Sequence, residues 1–220
     1  MTRPAPFLFD LDGTLADTLA DIAASTNQVR EVHGLPAAPL AAVRSFVGDG
    51  ARTLLRRALA DVLPADAAAT ERTIDAAFAC YAEHHAVQCT RTVRAFPGVR
   101  DHLESLRAAG HGLAVVTNKP ERFAVAIVSH LGLHDLLAVV IGGDTLPLRK
   151  PDPAPLALAL ARLGSSGEVA GTMVGDGVQD LRAGKALGLS TIGCLFGYGD
   201  PARLRAEGAD AFWRAFGVVA

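Results

Sequence analysis

Two carboxylates close a short apolar segment near the start of the chain. Residues 7–9 read Phe-Leu-Phe, and Asp10 and Asp12 follow on either side of one leucine before Gly13 turns the chain. Short apolar runs that stop at a glycine are typical of buried strands, and ligands bind at the carboxyl ends of strands in open α/β sheets. An extended backbone directs both carboxylates the same way. Two like charges so close favour a shared cation, although a charged turn after a core strand is the alternative.

Two further polar clusters follow predicted strands and could receive an anion. Thr117 and Asn118 stand just before Pro120, and a hydroxyl with free backbone N–H groups at a helix start forms an anion site. The alternative is that they only cap that helix. Lys150 precedes a proline, which keeps it out of a helix, so its ammonium could neutralise Asp10 together with a bound phosphate. A lysine on the surface is the alternative, because most lysines are solvated.

The last cluster adds carboxylates to the same edge of the predicted sheet. Asp176 ends a predicted strand, and Asp180 lies four residues on, so one turn of helix brings the two carboxylates together. Asp10, the backbone carbonyl of Asp12 and the carboxylate of Asp176 are hard oxygen ligands of the kind that Mg²⁺ prefers. Asp180 is expected to act behind these ligands, by orienting a metal-bound water or Lys150.

The order of predicted elements indicates a discontinuous α/β fold. Residues 16–92 show helical periodicity only, with Thr18 and Asp21 as a plausible capping pair. Beyond that block, strands alternate with helices, which is typical of a parallel sheet covered on both faces. The prediction is therefore a doubly wound parallel sheet, a Rossmann-like core formed by residues 1–15 and 93–220, with residues 16–92 inserted as a helical cap domain.

Composition narrows the classes of partner. The 220 residues include 21 basic and 23 acidic ones, the net charge is −2, and the charges are interspersed without a basic stripe. We therefore expect no nucleic acid as a partner, and no membrane, because no apolar stretch reaches the ~20 residues that a bilayer requires. The first residues run straight into the predicted strand and leave no room for a signal peptide. Three widely spaced cysteines indicate neither disulfides nor a metal site, so a cytoplasmic protein, monomeric or homodimeric, is expected.

Four short motifs occur in order along the chain. They are Asp-Leu-Asp-Gly-Thr-Leu at 10–15, Val-Val-Thr-Asn-Lys-Pro at 115–120, Lys-Pro-Asp-Pro at 150–153 and Val-Gly-Asp-Gly-Val-Gln-Asp at 174–180. Together they resemble the motifs of the haloacid dehalogenase-like superfamily of hydrolases. Dehalogenases of that family lack the second aspartate of the first motif, so the resemblance implies a phosphatase. Gly177 stands where the family's phosphatases often have serine, which removes one side-chain hydrogen bond.

The resemblance also implies a role for each motif residue. Asp10 would be the nucleophile that becomes an aspartyl phosphate, and Asp12 would be the acid/base. Thr117 and the backbone of Asn118 would bind the transferring phosphoryl group, Lys150 would neutralise it, and Mg²⁺ would be the cofactor. The helical insert resembles the cap domain of the family subgroup whose cap follows the first motif.

The insert is expected to select the substrate, a small phosphate ester. Gly48 and Gly50 punctuate a turn before a helix, which suits closure over a small anion. Arg52 could bind a substrate carboxylate in bidentate fashion or be a solvated helix residue. The insert and the motifs resemble the phosphoglycolate phosphatase branch, which implies hydrolysis of 2-phosphoglycolate to glycolate and phosphate. The alternatives are a sugar-phosphate phosphatase, for example for N-acetylmuramate 6-phosphate, a phosphomutase and, more distantly, a non-catalytic phosphate sensor.

Overall fold

A seven-stranded sheet with helices on both faces forms the core of the computed structural model, which describes residues 4–164 and 170–220. Within those residues the strands are β1 (Phe7–Phe9), β2 (Ala16–Asp17), β3 (Arg94–Ala95), β4 (Leu113–Val116), β5 (Val139–Ile141), β6 (Thr172–Gly175), β7 (Ser190–Cys194), β8 (Ala211–Ala215) and β9 (Val218–Val219). The helices are α1 (Leu19–Val32), α2 (Leu40–Phe46), α3 (Ala51–Ala58), α4 (Ala67–Gln88), α5 (Val99–Ala108), α6 (Glu121–His130), α7 (Ala154–Arg162), α8 (Val178–Ala186) and α9 (Pro201–Glu207), and a 3₁₀ turn covers Ala60–Val62.

Strand β1 lies at the centre of the sheet. The strand order is β5-β4-β1-β6-β7-β8-β9, and every pairing is parallel except that of β8 with β9. The chain adds β4 and β5 on one side of β1 and β6, β7 and β8 on the other, so the order reverses at β1. In a doubly wound sheet such a reversal opens a crevice at the carboxyl ends of the strands. The predicted fold class, a Rossmann-like α/β core with a helical insert, is confirmed.

Alternate residues of the central strands face two separate hydrophobic layers. Phe9 belongs to a cluster that continues into the helical insert, whereas Leu8 and Met173 belong to a second cluster that also contains residues of α7 and α8. This alternation follows from the two-residue period of a strand. Because both faces are covered, the central strands are apolar along their length. That burial fixes β1 and thereby the position of Asp10 at its end.

Helices α1 to α4 lie between β2 and β3 and pack on one another. Helix α1 contacts α2, α3 and α4, and the bundle buries Ile22, Val29, Leu55 and Ile74. The chain enters and leaves this bundle through the antiparallel pair of β2 with β3. The sequence of residues 16–92 predicted helices only, and β2 was not predicted because a two-residue strand carries no periodicity.

The carboxyl-terminal segment adds elements that the sequence analysis did not predict. Helix α9 precedes β8 and β9, which extend the sheet beyond β7. Trp213 on β8 is 5% exposed, and its ring centroid lies 5.2 Å from that of Phe216, so the last strands close one side of the main hydrophobic cluster. Among the helices of the described chain, none combines the length and the apolar composition that crossing a membrane would need.

Candidate active site

Three buried carboxylates meet at the carboxyl edge of the sheet. Asp10 directly follows β1, Asp176 directly follows β6, and Asp180 lies in the first turn of α8. One carboxylate oxygen from each residue lies within 4.8 Å of the other two, and all three residues are buried. One helical turn brings Asp180 back toward the strand end, as the spacing predicts. Asp180 therefore lies beside the other two carboxylates, and its predicted role of orienting a metal-bound water or Lys150 stays a prediction.

Lys150 supplies positive charge inside this cluster. Its ammonium lies 3.0 Å from Oδ1 of Asp10 and 2.6 Å from Oδ1 of Asp180, and it donates to the carbonyl oxygen of Val116 at 2.6 Å. Lys150 is 2% exposed and is not among the described residues that line the cavity between core and insert. The expected contact with Asp10 is present, and the predicted role of Lys150 in neutralising a bound phosphate stays a prediction.

The donor set fits a divalent cation. Burial, together with the charges of Asp10 and Asp180, raises the pKa of Asp176 to about 8. Burial and Asp10 also raise the pKa of Asp180 to about 7, although the Lys150 ammonium opposes that rise. One ammonium among three carboxylates leaves negative charge uncompensated, and a hard cation that binds oxygen would relieve it. Three carboxylates on rigid elements can therefore hold Mg²⁺; the backbone carbonyl of Asp12 as a further ligand stays a prediction.

A loop after β7 holds the carboxylate of Asp176. The backbone N–H groups of Tyr198 and Gly199 donate to its Oδ2 at 2.6 and 3.2 Å, and the hydroxyl of Thr14 donates to its Oδ1 at 3.2 Å. Gly13 packs against the same carboxylate, because a Cβ at that position would lie 2.3 Å from Oδ2. With three donors and a close backbone contact, the orientation of Asp176 is set by its surroundings.

Asp12 points away from the carboxylate cluster and has its own cation. Lys119 Nζ donates to both carboxylate oxygens of Asp12, at 3.1 and 3.2 Å, and the hydroxyl of Thr18 donates to Oδ1 at 2.6 Å. Thr18 is the N-cap residue of α1, yet its side chain makes no cap hydrogen bond. The predicted capping pair of Thr18 with Asp21 is wrong, because Asp21 instead accepts hydrogen bonds from Thr92.

Thr117 and Asn118 follow β4 and line the cavity between the core and the helical insert. The Asn118 side-chain amide donates to the carbonyl oxygens of Gly48 at 3.0 Å and Lys150 at 2.9 Å, so it ties a turn of the insert to the core. Its Oδ1 is buried and accepts no hydrogen bond from any described residue. The Thr117 hydroxyl accepts a hydrogen bond from the backbone N–H of Lys119 at 3.3 Å. The predicted binding of an anion by these two residues stays a prediction.

The cavity between core and insert has a volume of about 620 Å³. Its core wall includes Asp10, Asp12 and Asp176, and its insert wall includes Gly48 and Gly50. The structure therefore brings the two predicted insert glycines to the same space as the carboxylates. A substrate in this cavity would contact both parts of the chain.

Arg52 is not brought to the site. Its guanidinium pairs with Asp75 at 2.7 Å and with Glu71 at 3.3 Å, and Arg52 is absent from the described residues that line the cavity. The cause is the phase of α3, which turns this residue toward the acidic side of α4. Two other arginines of the insert, Arg44 and Arg57, line the cavity instead.

The polar residues that line the cavity and were not predicted also include Lys119, Tyr198, Tyr81 and Gln179. Lys119 precedes a proline just as Lys150 does, so the rule applied to Lys150 would have found it. Tyr198 lies in a loop outside the four motifs, which leaves no signal for it. Tyr81 and Gln179 are 3% and 9% exposed, and their side-chain polar groups have no hydrogen-bond partner among the described residues. Helical periodicity assigned Tyr81 to packing, and nothing in the sequence distinguished Gln179.

Comparison with known proteins identifies the family. The family model for the haloacid dehalogenase-like hydrolase matches residues 7–194. The chain belongs to the haloacid dehalogenase-like hydrolases. Phosphoglycolate phosphatase from Pseudomonas putida is 39% identical to this hydrolase over 209 residues, which are 94% of this chain and 75% of that protein. Phosphoglycolate phosphatase from Chromobacterium violaceum is 40% identical over 201 residues, which are 90% and 88% of the two chains.

Solved structures share the fold of this hydrolase. A predicted phosphoglycolate phosphatase from Haemophilus somnus 129pt matches with a TM-score of 0.83 and 30% identity, over 98% of this chain and 96% of that one. A predicted phosphatase from Clostridium acetobutylicum matches with a TM-score of 0.82 at 24% identity, over 96% and 94% of the two chains, which shows a shared fold. The likeness extends over the helical insert as well as the sheet.

Proposed function

We propose that this hydrolase cleaves phosphate monoesters and that 2-phosphoglycolate is its substrate, with glycolate and phosphate as products. The observation that carries the proposal is the placement of Asp10, which lies at the switch point of the sheet, lines the cavity and contacts Lys150 at 3.0 Å. A carboxylate in this position can attack phosphorus without a general base. The two relatives named phosphoglycolate phosphatase, at 39% and 40% identity, support the choice of substrate.

We propose that the reaction passes through a phosphorylated Asp10. Asp10 attacks phosphorus in line, while Thr117 and the backbone N–H of Asn118 hold the phosphoryl oxygens. Asp12, oriented by Lys119, gives a proton to the departing alkoxide. Asp12 then takes a proton from the water that hydrolyses the aspartyl phosphate. The proton that Asp12 gives up when the aspartyl phosphate forms is therefore regained when the aspartyl phosphate is hydrolysed.

We propose that Asp10, Asp176 and the backbone carbonyl of Asp12 hold Mg²⁺, and that Asp180 orients a metal-bound water or Lys150. The fit rests on the buried, undercompensated carboxylates at the carboxyl edge of the sheet. When bound, the ion would neutralise charge on the phosphoryl oxygens. The protein's part is to keep the carboxylates in place, through the donors around Asp176 and the ammonium beside Asp10.

We propose that residues 1–15 and 93–220 form the catalytic core and that residues 16–92 form a cap that selects the substrate. The β2–β3 pair supports this division, because the chain enters and leaves the helical bundle at one place. The turn with Gly48 and Gly50 would contact the organic part of the substrate, whereas the four motifs bind its phosphoryl group. The expected setting is the cytoplasm, where the enzyme acts as a monomer or a homodimer.

A sugar phosphate is a second candidate substrate. The cavity volume of about 620 Å³ lies in the range that encloses drug-sized ligands and exceeds what phosphoglycolate needs. The amide of Gln179 and the hydroxyl of Tyr81, both without a described partner, could bind the hydroxyl groups of a sugar. This candidate keeps the same chemistry at Asp10.

The test is phosphate release from a panel of esters, with and without Mg²⁺. The panel contains 2-phosphoglycolate, hexose phosphates, N-acetylmuramate 6-phosphate, nucleotides and pyrophosphate, and Asp10→Asn is the control. We expect a Mg²⁺-dependent preference for phosphoglycolate and no turnover by a folded Asp10→Asn variant. A preference for another ester would replace the substrate but keep the chemistry. A fully active Asp10→Asn variant would end the proposed mechanism, and Mg²⁺ binding without release from any ester would favour a phosphate sensor.

A further inference from the structure

A tyrosine of the core holds the start of the first helix of the insert. The Tyr198 hydroxyl accepts a hydrogen bond from the backbone N–H of Thr18 at 2.6 Å and donates to Oδ1 of Asp17 at 2.8 Å. Asp17 is the last residue of β2, and Thr18 is the N-cap residue of α1. Tyr198 lies 180 residues further along the chain, so this contact joins the core to the segment where the chain enters the insert.

The residue that Tyr198 holds is the residue that orients Asp12. Thr18 is 1% exposed, and its hydroxyl donates to Oδ1 of Asp12 at 2.6 Å. An N-cap threonine ordinarily turns its hydroxyl back to the first turn of its own helix, but here no such bond forms. With the Thr18 backbone fixed by Tyr198, the Thr18 hydroxyl is directed at Asp12. The contacts therefore form a continuous path from Tyr198 through Thr18 to Asp12.

The backbone of Tyr198 is anchored independently of its hydroxyl. Its N–H donates to Oδ2 of Asp176 at 2.6 Å, and its carbonyl oxygen accepts a hydrogen bond from Nε of Arg44 on α2 at 3.1 Å. Removal of the hydroxyl should therefore leave the loop and the Asp176 carboxylate in place. One substitution at Tyr198 can therefore remove the contacts of its hydroxyl with Asp17 and Thr18 and keep the contacts of its backbone.

We propose that Tyr198 is a positioning residue for the departure of the alcohol, and that it acts through Thr18 on Asp12. The proposal rests on the proposed function, in which Asp12 protonates the leaving oxygen. When the Tyr198 hydroxyl holds Asp17 and Thr18 in place, the Asp12 carboxylate has one orientation toward the cavity. Without the hydroxyl, Thr18 is free to cap its own helix, and Asp12 loses one of its two neighbours.

The test compares two leaving groups in Tyr198→Phe. An alkyl ester such as phosphoglycolate needs a proton on its leaving oxygen, whereas p-nitrophenyl phosphate has a stable leaving anion and needs little help. We expect kcat/KM for phosphoglycolate to fall about tenfold or more and kcat/KM for p-nitrophenyl phosphate to change less than about threefold. A merely structural role would lower both values equally, and that outcome, or no change in either, would overturn the proposal.

A double-mutant cycle checks the path through Thr18. Thr18→Val removes the hydroxyl, and Thr18→Ser restores it. If Tyr198 acts through Thr18, Tyr198→Phe combined with Thr18→Val should be no slower on phosphoglycolate than Thr18→Val alone. Costs that multiply in the double variant would show independent actions and refute the path. Thr73→Val is the matched control, because it removes a threonine hydroxyl whose only described bond is to the Ala69 carbonyl within α4.

Asp12→Asn separates this inference from the proposed function. A selective loss of alkyl-ester hydrolysis in Asp12→Asn, without one in Tyr198→Phe, would refute the role of Tyr198 and leave the function intact. No selective loss in Asp12→Asn would refute the acid role of Asp12 and with it the role of Tyr198, and an inactive wild-type protein would refute the proposed function as well. If the wild-type protein prefers another alkyl ester, that ester takes the place of phosphoglycolate in the comparison. Thermal melting of each variant confirms that the chain is folded.

Discussion

Each aspartate of the first motif has a lysine of its own. Lys150 lies 3.0 Å from Asp10, and Lys119 lies 3.1 Å from Asp12. Both lysines are nearly buried, at 2% and 6% exposure, and buried ammonium groups persist only where carboxylates pair with them. The two carboxylates therefore differ in their surroundings. Asp10 shares Lys150 with Asp180, whereas Asp12 contacts Lys119 and the hydroxyl of Thr18.

Substitution of Lys119 tests this division at the level of one residue. Lys119→Met keeps the apolar stem and removes the ammonium from both oxygens of Asp12. We expect kcat/KM for the best ester to fall at least about tenfold, because Asp12 loses its main orienting partner, while Mg²⁺ binding stays unchanged because the carboxylate cluster is not touched. Steady-state kinetics and a Mg²⁺ titration measure the two effects.

Arg52→Gln is the matched control for the Lys119 substitution. It also removes a cation, but one that pairs with Glu71 and Asp75 on the surface of the insert. Exposed ion pairs contribute about 0–1 kcal/mol to stability, so both activity and unfolding should change little. A rise in KM in Arg52→Gln would instead indicate that Arg52 contacts the substrate, which is one of the two roles that the sequence left open.

At the residue scale, the sequence predicted the placement of side chains that follow strand ends. It did not predict placements that depend on the rotation of a helix about its axis. The positions of Asp10 and Asp176 follow from apolar strands that stop at the carboxyl edge of the sheet. For Arg52 the sequence left two roles open, a contact with substrate or a solvated helix residue, and the rotation of α3 directs it to Glu71 and Asp75 on α4. The role of Thr18 was also missed, because a threonine before a helix predicts a cap unless a partner from elsewhere in the chain competes.

At the element scale, the sheet was predictable and its short connections were not. Strands β1, β4 and β5 consist of apolar residues, and their burial on both faces is a signal that a sequence shows directly. The β2–β3 pair has two residues on each strand and depends on contacts between distant parts of the chain. The role of the loop with Tyr198 likewise depends on contacts with distant residues. The loop contacts Asp17 and Thr18 at the entry to the insert, and it contacts Asp176 in the core.

The turn after β1 gives a test at this scale. Gly13 has a φ of +83°, and a Cβ there would lie 2.3 Å from Oδ2 of Asp176. Gly13→Ala should therefore combine backbone strain of about 1–2 kcal/mol with displacement of the Asp176 carboxylate. We expect a lower free energy of unfolding, measured in urea, and a loss of Mg²⁺ affinity, measured by titration calorimetry.

Gly34→Ala is the matched control for the turn. Gly34 has a φ of +69°, and a Cβ there would meet no heavy atom within 4 Å. It should reproduce the strain without any effect on Mg²⁺ binding. Equal Mg²⁺ affinities in the two variants would contradict the assignment of Asp176 to the metal site.

At the scale of the whole molecule, the crevice at the carboxyl ends of the strands contains more buried carboxylates than cations to pair with them. Asp10, Asp176 and Asp180 are buried with Lys150 as the one cation in contact with the cluster among the described residues. Burial opposes ionisation of carboxylates, so the fold without a cation favours their protonated forms. The stability of the whole chain is therefore linked both to pH and to cation binding.

The sign of this linkage gives a prediction for the metal-free protein. The pKa of Asp176 is about 8 in the folded protein, against an ordinary value of 3.8. Between those two pH values the folded chain holds a proton that the unfolded chain has released, so the free energy of unfolding falls as the pH rises. In the presence of EDTA, we expect the melting temperature to decrease from about pH 5 to about pH 8 through this group.

Mg²⁺ should reverse that trend, because the ion takes the place of the protons. Its binding requires ionised carboxylates, so its affinity increases as the pH rises toward 8, and a ligand that binds only the folded state raises stability by mass action. The increase in melting temperature on adding Mg²⁺ should therefore be larger near pH 8 than near pH 6. Asp176→Asn removes the group with the most strongly raised pKa, so it should weaken the pH trend in EDTA, to which Asp180 still contributes, and remove most of the Mg²⁺ effect. A Mg²⁺ effect that is the same at both pH values, or that survives in Asp176→Asn, would place the ion outside this cluster.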